Sequence, residues 1–403
     1  MENKRLGRKE FVALMALMTS LIALSIDGML PALPQMGVEF AVPSSELPLI
    51  ISILFLGFGF GQLIFGPLSD VVGRKPPVYV GIVFFMLGSV LAGFAQSMTM
   101  LLVGRALQGF GGASPRIVSL ALIRDEYSGD AMAQITSLVM TVFILVPAIA
   151  PALGQGILFI AEWRAIFIML FVFSGAILTW FYLRQHEILP KSHRRKLTIK
   201  QFVSGARQTL SQPTTVSCMM VTGLVFGIFV GYLGAVQEIF EKIFNVGTLF
   251  PMFFGILALS LGGASFFNSR LVMALGMRRL ILSAFMGMAI VSNLFAVYLE
   301  AFQVGVPPLW LFMGYMMITF FSVGFLFGNL NAMAMEPLGH IAGIGSSILG
   351  FVQSTISVIV GSILGVYFHD SITPLVLSFG SISLISLVIL MFERRFRKSV
   401  SSI

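Results

Sequence analysis

Long apolar stretches without a charged side chain are the feature of this sequence that most limits what it can fold into. A membrane-spanning helix needs about 20 mostly apolar residues. Ten runs between consecutive Asp, Glu, Lys and Arg residues reach or nearly reach that length: 47–69, 76–104, 131–161, 165–183, 208–237, 243–269, 280–299, 301–335, 337–369 and 371–392. These runs lack the two-residue alternation of barrel strands, so they predict helices.

Two further apolar stretches contain charges and complete a set of twelve spans. Residues 11–33 are interrupted by Asp27, and residues 101–123 by Arg105 and Arg116. Only 10% of all residues are charged, whereas soluble domains carry about 25%. This deficit excludes a soluble enzyme, and the single cysteine excludes an internal disulfide framework. We therefore expect an all-α membrane protein with twelve transmembrane helices.

The basic residues are distributed very unevenly between the loops on the two sides of the membrane. One side receives only Arg164 and Lys242. The other side receives Lys4, Arg5, Arg8, Lys9, Arg74, Lys75, Arg124, Arg184, Lys191, Arg194, Arg195, Lys196, Lys200, Arg207, Arg270, Arg278, Arg279, Arg394, Arg395, Arg397 and Lys398. By the positive-inside rule, both termini are predicted to be cytoplasmic. The same asymmetry explains the net charge of +8 without a nucleic-acid partner.

A long basic stretch divides the twelve spans into two sets of six. We expect an N-terminal six-helix bundle at 1–184, a cytoplasmic linker at 185–212 and a C-terminal six-helix bundle at 213–403. A weak internal repeat supports this division, because Gly73 follows the second span and Gly276, 203 residues later, follows the eighth. Parallel six-span repeats are the organisation of one large class of transporters.

The loop between spans two and three, residues 66–76, contains Gly66, Asp70, Gly73 and Arg74. Its glycines permit close backbone approach, and Asp70 is placed to cap a helix or to pair with Arg74. A solvated loop is the alternative interpretation. The segment resembles the signature of the major facilitator superfamily over eleven residues. That resemblance implies that Asp70 and Arg74 latch the two halves on the cytoplasmic side.

Asp27 and Arg105 are charged residues inside predicted spans one and four. Leaving such a group uncompensated costs about 2.5–3.5 kcal/mol, so an intramembrane charge is a functional hypothesis by default. A carboxyl group at Asp27 can take up and release protons. Arg105 is predicted to lie at a similar depth, to within about one helical turn, where it can alternately hold and release Asp27. A structural ion pair or a helix cap is the alternative.

Arg116 follows Arg105 by eleven residues, which returns it to nearly the same helical face about 16 Å further inward. Gln108 lies on that face too. We predict that Arg116 and Gln108 line a substrate cavity, with Arg116 favouring an anionic or polar substrate; the alternative is that Arg116 snorkels to the interface. The second half contributes three polar cavity candidates: Asn329, Asn331 and Gln353.

Span five contains Pro147 and Pro151, followed by Gly154 and Gly156. Two prolines four residues apart remove helix hydrogen bonds and bend the span. An ordinary kinked helix is one interpretation. The pattern also resembles the antiporter signature of exporters in the superfamily, with Ala150 in place of the usual glycine, and this resemblance favours export over import.

The order of these motifs along the chain resembles that of the Bcr/CflA group of drug:proton antiporters. The match is dense over roughly residues 25–190 and thin over the second half. The segments that carry this resemblance are those around Asp27, 66–76, Arg105, the span-five prolines and 162–167. The resemblance implies the major facilitator fold and alternating access, in which proton entry expels chloramphenicol-like, bicyclomycin-like or other small amphipathic compounds. It also implies that Asp27 and Arg105 couple transport to protons. Thr19 stands where some relatives have a second acid, which predicts fewer coupling carboxylates.

Other functions remain open at this point. The chain could export an endogenous metabolite or a siderophore, or import a small anionic solute together with protons. A membrane enzyme would need a clustered acid/base or metal constellation, which the sequence lacks, and the histidines show no metal-ligand spacing. We expect a monomer in the bacterial cytoplasmic (inner) membrane whose partners are lipid, protons and a small-molecule substrate, and no cofactor beyond the proton gradient.

Overall fold

The long apolar runs form helices, and no strand occurs in the described residues. The computed structural model describes residues 6–190, 194, 198–302, 305–368 and 371–401, with side chains except at 133 and 394–401. The helices are α1 (Arg8–Asp27), α2 (Leu33–Glu39), α3 (Pro48–Val72), α4 (Lys75–Gly93), α5 (Met98–Glu126), α6 (Gly129–Leu158), α7 (Arg164–Arg184), α8 (Ile199–Ser211), α9 (Pro213–Glu238), α10 (Phe250–Leu275), α11 (Met277–Ala301), α12 (Leu309–Met335), α13 (Ala342–Gly365) and α14 (Thr373–Ser401).

Twelve of these helices within the described ranges are long enough to cross a membrane; α2 and α8 are the short ones. By length and hydropathy, ten stretches qualify, and one of them, Leu309–Gly365, contains both α12 and α13. The remaining long helix is α5, with 29 residues, whose hydropathy is reduced by Arg105 and Arg116. The prediction of an all-α membrane protein with twelve transmembrane helices is confirmed.

The chain packs as two compact units, each with six of the long helices. Unit 1 consists of Met1–Val42 and Ile53–Phe202, and unit 2 of Pro43–Ser52 and Val203–Ile403. The division along the chain therefore runs inside α3 and inside α8. Within the linker of 185–212, α8 is a 13-residue helix, an element that the sequence analysis had not assigned.

The internal repeat is visible in the boundaries of the helices. Short 3₁₀ turns at Ser44–Glu46 and Gly247–Leu249, also 203 residues apart, precede α3 and α10. Each of these helices ends at a glycine with positive φ, 105° at Gly73 and 80° at Gly276. Since side chains strongly disfavour positive φ, glycine is needed at both turns. The same turn geometry thus closes the second span of each half.

Span one is discontinuous, although the sequence analysis treated residues 11–33 as one continuous span. α1 ends at Asp27, and a 3₁₀ turn at Leu30–Ala32 leads into α2. Pro31 explains the break, because a proline has no N–H to donate and its ring clashes with the carbonyl four residues earlier, that of Asp27. The acid therefore stands at the point where the helix ends.

Some residues used in the sequence analysis lie outside the described part of the chain. Among the basic residues assigned to the cytoplasmic side these are Lys4, Arg5, Lys191, Arg195 and Lys196, and among the histidines His193 and His369. Within the described residues, no group of three or more His, Cys, Asp or Glu side chains could hold a metal ion.

Candidate functional site

Asp27 is buried at the end of α1, with only 6% of its surface exposed. Among the described residues, no ion pair and no side-chain hydrogen bond involves its carboxyl group. Buried carboxylates are normally paired or hydrogen-bonded. Asp27 thus combines burial with a carboxyl group that is left available for another partner.

Arg105 is completely buried on α5 and lies next to the end of α1. Its Nη1 donates to the backbone oxygen of Ser25 at 3.0 Å and to Oε1 of Gln108 at 2.8 Å. The Gln108 amide in turn donates to Oγ of Ser89 at 2.8 Å. The network therefore joins α1, α4 and α5. It holds the Arg105 guanidinium against the backbone of Ser25, two residues before Asp27. Gln108, predicted to line the cavity, has no exposed surface here.

The span-five motif packs directly against the break after α1. A Cβ atom at Gly154 would lie 1.8 Å from the backbone oxygen of Gly28, so no side chain fits there. By contrast, no atom outside the helix backbone nearby lies within 4 Å of a Cβ placed at Gly156. Pro147 and Pro151 lie inside α6, which is continuous over 30 residues. One glycine of the motif is therefore the contact point between α6 and the residue after Asp27.

The segment that follows α6 holds one end of unit 1 together. Nε1 of Trp163 donates to Oε2 of Glu39 at 2.6 Å, and Nη1 of Arg164 donates to the same oxygen at 2.9 Å. Nη2 of Arg164 also pairs with Glu39 and donates to the backbone oxygen of Ala95 at 3.0 Å. These bonds fasten α2, the continuation of the broken span, to α7.

Arg116 is half-buried on α5 between two aromatic rings. Its guanidinium carbon lies 5.4 Å from the ring centre of Phe58 on α3 and 5.1 Å from that of Phe143 on α6. Within the described ranges it has no ion pair and no hydrogen bond through its side chain. The structure therefore places it apart from the Arg105 network, with ring faces around its charge.

The loop motif forms a cluster around Arg74, which is 7% exposed. Arg74 donates from Nη1 to Asp70 at 2.6 Å and to Ser69 at 2.9 Å, and from Nε to Asp125 at 2.7 Å. The Ser69 hydroxyl donates to the backbone oxygen of Gly66 at 2.8 Å. Burial lowers the pKa of Arg74, but its hydrogen bonds to Asp125 and Asp70 raise the pKa more, to a net value above the ordinary one.

Two members of this cluster were missed by the sequence analysis. Asp125 lies at the C-terminal end of α5. Glu187 comes from the start of the linker and accepts the backbone N–H groups of Arg74 and Lys75, each at 3.0 Å. A carboxylate at the first N–H groups of a helix is a stabilising cap. A Cβ at Gly73 would lie 2.6 Å from the Glu187 carboxylate, which adds to the preference for glycine that the positive φ already sets.

The polar residues predicted in the second half occur in unit 2 as two separate pairs. Nδ2 of Asn329 on α12 donates to Oδ1 of Asn268 on α10 at 2.7 Å. Nε2 of Gln353 on α13 donates to Oδ1 of Asn331 on α12 at 3.1 Å. Asn329 is buried, whereas Asn331 and Gln353 are half-buried. The structure brings Asn331 and Gln353 together and separates Asn329 from them.

Unit 2 also contains a buried ion pair that the sequence analysis missed. Nη2 of Arg278, at the start of α11, lies 2.8 Å from Oε2 of Glu393 on α14. The hydroxyl of Thr214, at the start of α9, donates to Oε1 of the same carboxylate at 2.7 Å. Met273 stands where unit 1 has Asp70 and is 88% exposed. Unit 2 therefore fastens its helix ends with a different set of residues.

Comparison with known proteins gives consistent results over most of the chain. The family model described as Major Facilitator Superfamily matches residues 15–362. A bicyclomycin resistance protein homolog from Haemophilus influenzae is 26% identical over 94% of this chain and 94% of its own length. The multidrug resistance protein MdtL of Klebsiella pneumoniae is 26% identical over 90% of this chain and 91% of its own length.

A solved structure agrees with the architecture described above. The xylose transporter XylE from E. coli, in a partially occluded inward-open conformation, covers 94% of this chain and 96% of its own, with a TM-score of 0.71 and 13% identity. A likeness at that identity establishes the fold alone. The fold predicted from the sequence is thereby confirmed.

Proposed function

Because the chain belongs to the Major Facilitator Superfamily, a family of transporters rather than enzymes, we propose that it is a proton-driven exporter of small amphipathic compounds. It works by alternating access as a monomer in the bacterial cytoplasmic membrane, with both termini in the cytoplasm. The predicted orientation follows from the basic residues, which are concentrated in the loops of one side.

The observation that carries this proposal is the environment of Asp27. The carboxyl group is buried at a helix break, and within the described chain it has no ion pair. The cation of Arg105 is fixed nearby, on the peptide oxygen of Ser25. Ionised Asp27 is attracted by that cation, and protonated Asp27 is not. Binding and release of one proton therefore changes the force between α1 and α5.

The proposed cycle uses this change to couple the two fluxes. In the outward-facing state, Asp27 takes up a proton as the substrate leaves. In the inward-facing state, it gives the proton to the cytoplasm as the next substrate binds. Pro31 has already ended the helix at this position, so the end of α1 can shift without breaking further helix hydrogen bonds.

The cluster of Asp70, Arg74, Gly66 and Gly73 serves in this proposal as the latch on the cytoplasmic side. Arg74 stands at the hinge between α3 and α4 and is tied to the end of α5 through Asp125. An arginine that is buried and doubly paired is costly to separate from its partners. Such a cluster holds one conformation until binding energy from substrate or proton opens it.

The cargo and direction of transport rest on the relatives and on span five. The names of two relatives refer to bicyclomycin resistance and to multidrug resistance. Together with the resemblance to the Bcr/CflA group, these names lead us to propose chloramphenicol-like and bicyclomycin-like drugs as substrates. The contact of Gly154 with Gly28 supports a role in export for the proline and glycine motif, since it connects that motif to the residue after Asp27.

A second function is favoured by one specific observation, the position of Arg116. An arginine without an ion pair in the described chain would suit an anionic cargo. The alternative is therefore an exporter of an endogenous anionic metabolite or siderophore, or a proton-coupled importer of a small anionic solute. In either case Asn331 and Gln353, which are half-buried, are the proposed polar contacts from unit 2.

Everted membrane vesicles test the proposed function directly. When respiration acidifies their interior, an exporter that exchanges drug for protons should accumulate radiolabelled chloramphenicol. Adding the drug should also partly collapse the pH gradient reported by acridine orange. Vesicles without the protein provide the baseline. Accumulation in right-side-out vesicles but not in everted ones would instead establish import.

A further inference from the structure

Arg116 differs in its surroundings from three other arginines of unit 1. Arg74, Arg164 and Arg184 each pair with a carboxylate, respectively Asp125, Glu39 and Glu10. Arg116 has no ion pair and no side-chain hydrogen bond among the described residues, and ring faces at 5.4 and 5.1 Å surround it. Cation–π contacts attract a cation but leave its N–H groups without acceptors.

The guanidinium lies deep in the membrane and does not snorkel. Phe58 is 14 residues from the end of α3, and Phe143 is 14 residues from the start of α6, which places both about 21 Å from those ends. The bond from Arg74 to Asp125 shows that the ends of α3 and α5 share one side of the membrane. A hydrocarbon core is about 30 Å thick, so Arg116 lies near its middle.

The direction of the side chain agrees with this depth. Arg116 is ten residues before the end of α5, or about 15 Å from it. Helix side chains lean towards the N-terminus of their helix, which here points away from the end that carries Asp125. A snorkelling arginine would extend the opposite way, towards the interface.

The N–H groups of Arg116 accept a planar anion well, because neither the rings nor a described side chain supplies an acceptor. Its five N–H donors form a rigid fork that matches the two oxygens of a carboxylate. The neighbouring phenylalanine rings offer apolar surface to an aromatic group attached to that carboxylate. A cation among apolar side chains also gains most from an incoming anion when the protein itself supplies none.

We propose that Arg116, Phe58 and Phe143 form a binding site for the anionic, aromatic end of the transported compound. Aromatic carboxylates are then a further class of substrate beside the neutral drugs; their planar acid pairs with Arg116 and their ring packs on the phenylalanines. This inference rests on the proposed function, because it adds a class of compound to those that the exporter carries. The site lies entirely within unit 1, on α3, α5 and α6.

Two ligands of the same shape and different charge test this site. Purified protein in detergent is titrated at pH 7 with 2-naphthoate and with its neutral isostere 2-naphthamide. Wild-type protein should bind naphthoate about tenfold more tightly, as expected for a charge-assisted hydrogen-bonded pair. Arg116→Gln should abolish this preference, whereas Arg124→Gln, which removes a cation from the exposed end of the same helix, should retain it.

Two further variants keep the test decisive if Arg116→Gln fails to fold. Arg116→Lys should still prefer naphthoate, but with lower affinity, because a lysine lacks the planar fork. Phe143→Leu should weaken both ligands and keep the preference. Equal affinity of the wild-type protein for both ligands, no saturable binding of naphthoate, or an unchanged preference in Arg116→Gln would overturn the assignment. Binding in detergent uses no proton gradient, so this outcome is separate from that of the export assay.

Discussion

At the residue scale, three charges inside the spans have three different environments. Asp27 has no ion pair in the described chain, Arg105 donates to neutral oxygens, and Arg116 lies between aromatic rings. Outside the hydrocarbon, Arg74 is instead saturated with carboxylates. Arg74 is compensated by carboxylates and holds structure, whereas Asp27 and Arg116, which have no ion pair among the described residues, are available to a proton or a substrate.

Asp125→Asn tests the role of a charge that is compensated within the protein, the charge of Arg74. The substitution keeps one oxygen near Nε of Arg74 but removes the negative charge from a pair that is largely buried. We expect the free energy of unfolding to fall by about 1–3 kcal/mol, the range for weakening a charged hydrogen bond. Thermal unfolding in detergent measures this change. Glu300→Gln, at an exposed acid at the end of α11, should leave the melting temperature unchanged, and an equal shift in both variants would contradict the stabilising role.

At the element scale, the crossing of α6 over the end of α1 is one of the contacts that depend on the absence of a side chain. The backbone of Gly28 approaches Gly154 so closely that a methyl group has no room. Gly156, two residues later, is open. The two glycines therefore form a matched pair on one helix.

Gly154→Ala should separate α6 from the residue after Asp27. The added methyl group forces a backbone shift, which costs about 1–3 kcal/mol in a well-packed interior, and transport should fall with it. Gly156→Ala should be neutral or slightly stabilising, because alanine favours helix over glycine. Melting temperature and drug accumulation are measured together for both variants. Equal tolerance at the two positions would show that the close contact is not required.

The helices themselves were predictable, and the contacts between them were not. The ten charge-free runs and the two apolar stretches that contain charges predicted twelve spans, because a helix satisfies its own backbone hydrogen bonds within the membrane. The break at Asp27 also had a local signal, Pro31, which the sequence analysis did not use. Asp125 and Glu187, by contrast, meet Arg74 across 51 and 113 residues of chain. A single sequence does not show which distant carboxylate reaches which arginine.

At the scale of the whole molecule, the repeat is preserved in backbone geometry but not in chemistry. Gly73 and Gly276 close equivalent turns, yet the three charges predicted inside spans, those of Asp27, Arg105 and Arg116, all lie in unit 1. The polar residues predicted in unit 2 are amides that pair with one another. The proposed proton coupling therefore belongs to one half of a duplicated fold, and it depends on Asp27.

Proton-driven accumulation of chloramphenicol by everted vesicles containing Asp27→Asn is the most direct test of this account. Asparagine has nearly the same shape but cannot bind and release a proton, so coupling should be lost while the protein still inserts at the wild-type level. Asp130→Asn, at an exposed acid at the start of α6, serves as the matched control and should accumulate drug normally. The account predicts no accumulation by Asp27→Asn. Undiminished accumulation by that variant, with the proton gradient as the sole energy source, would contradict it.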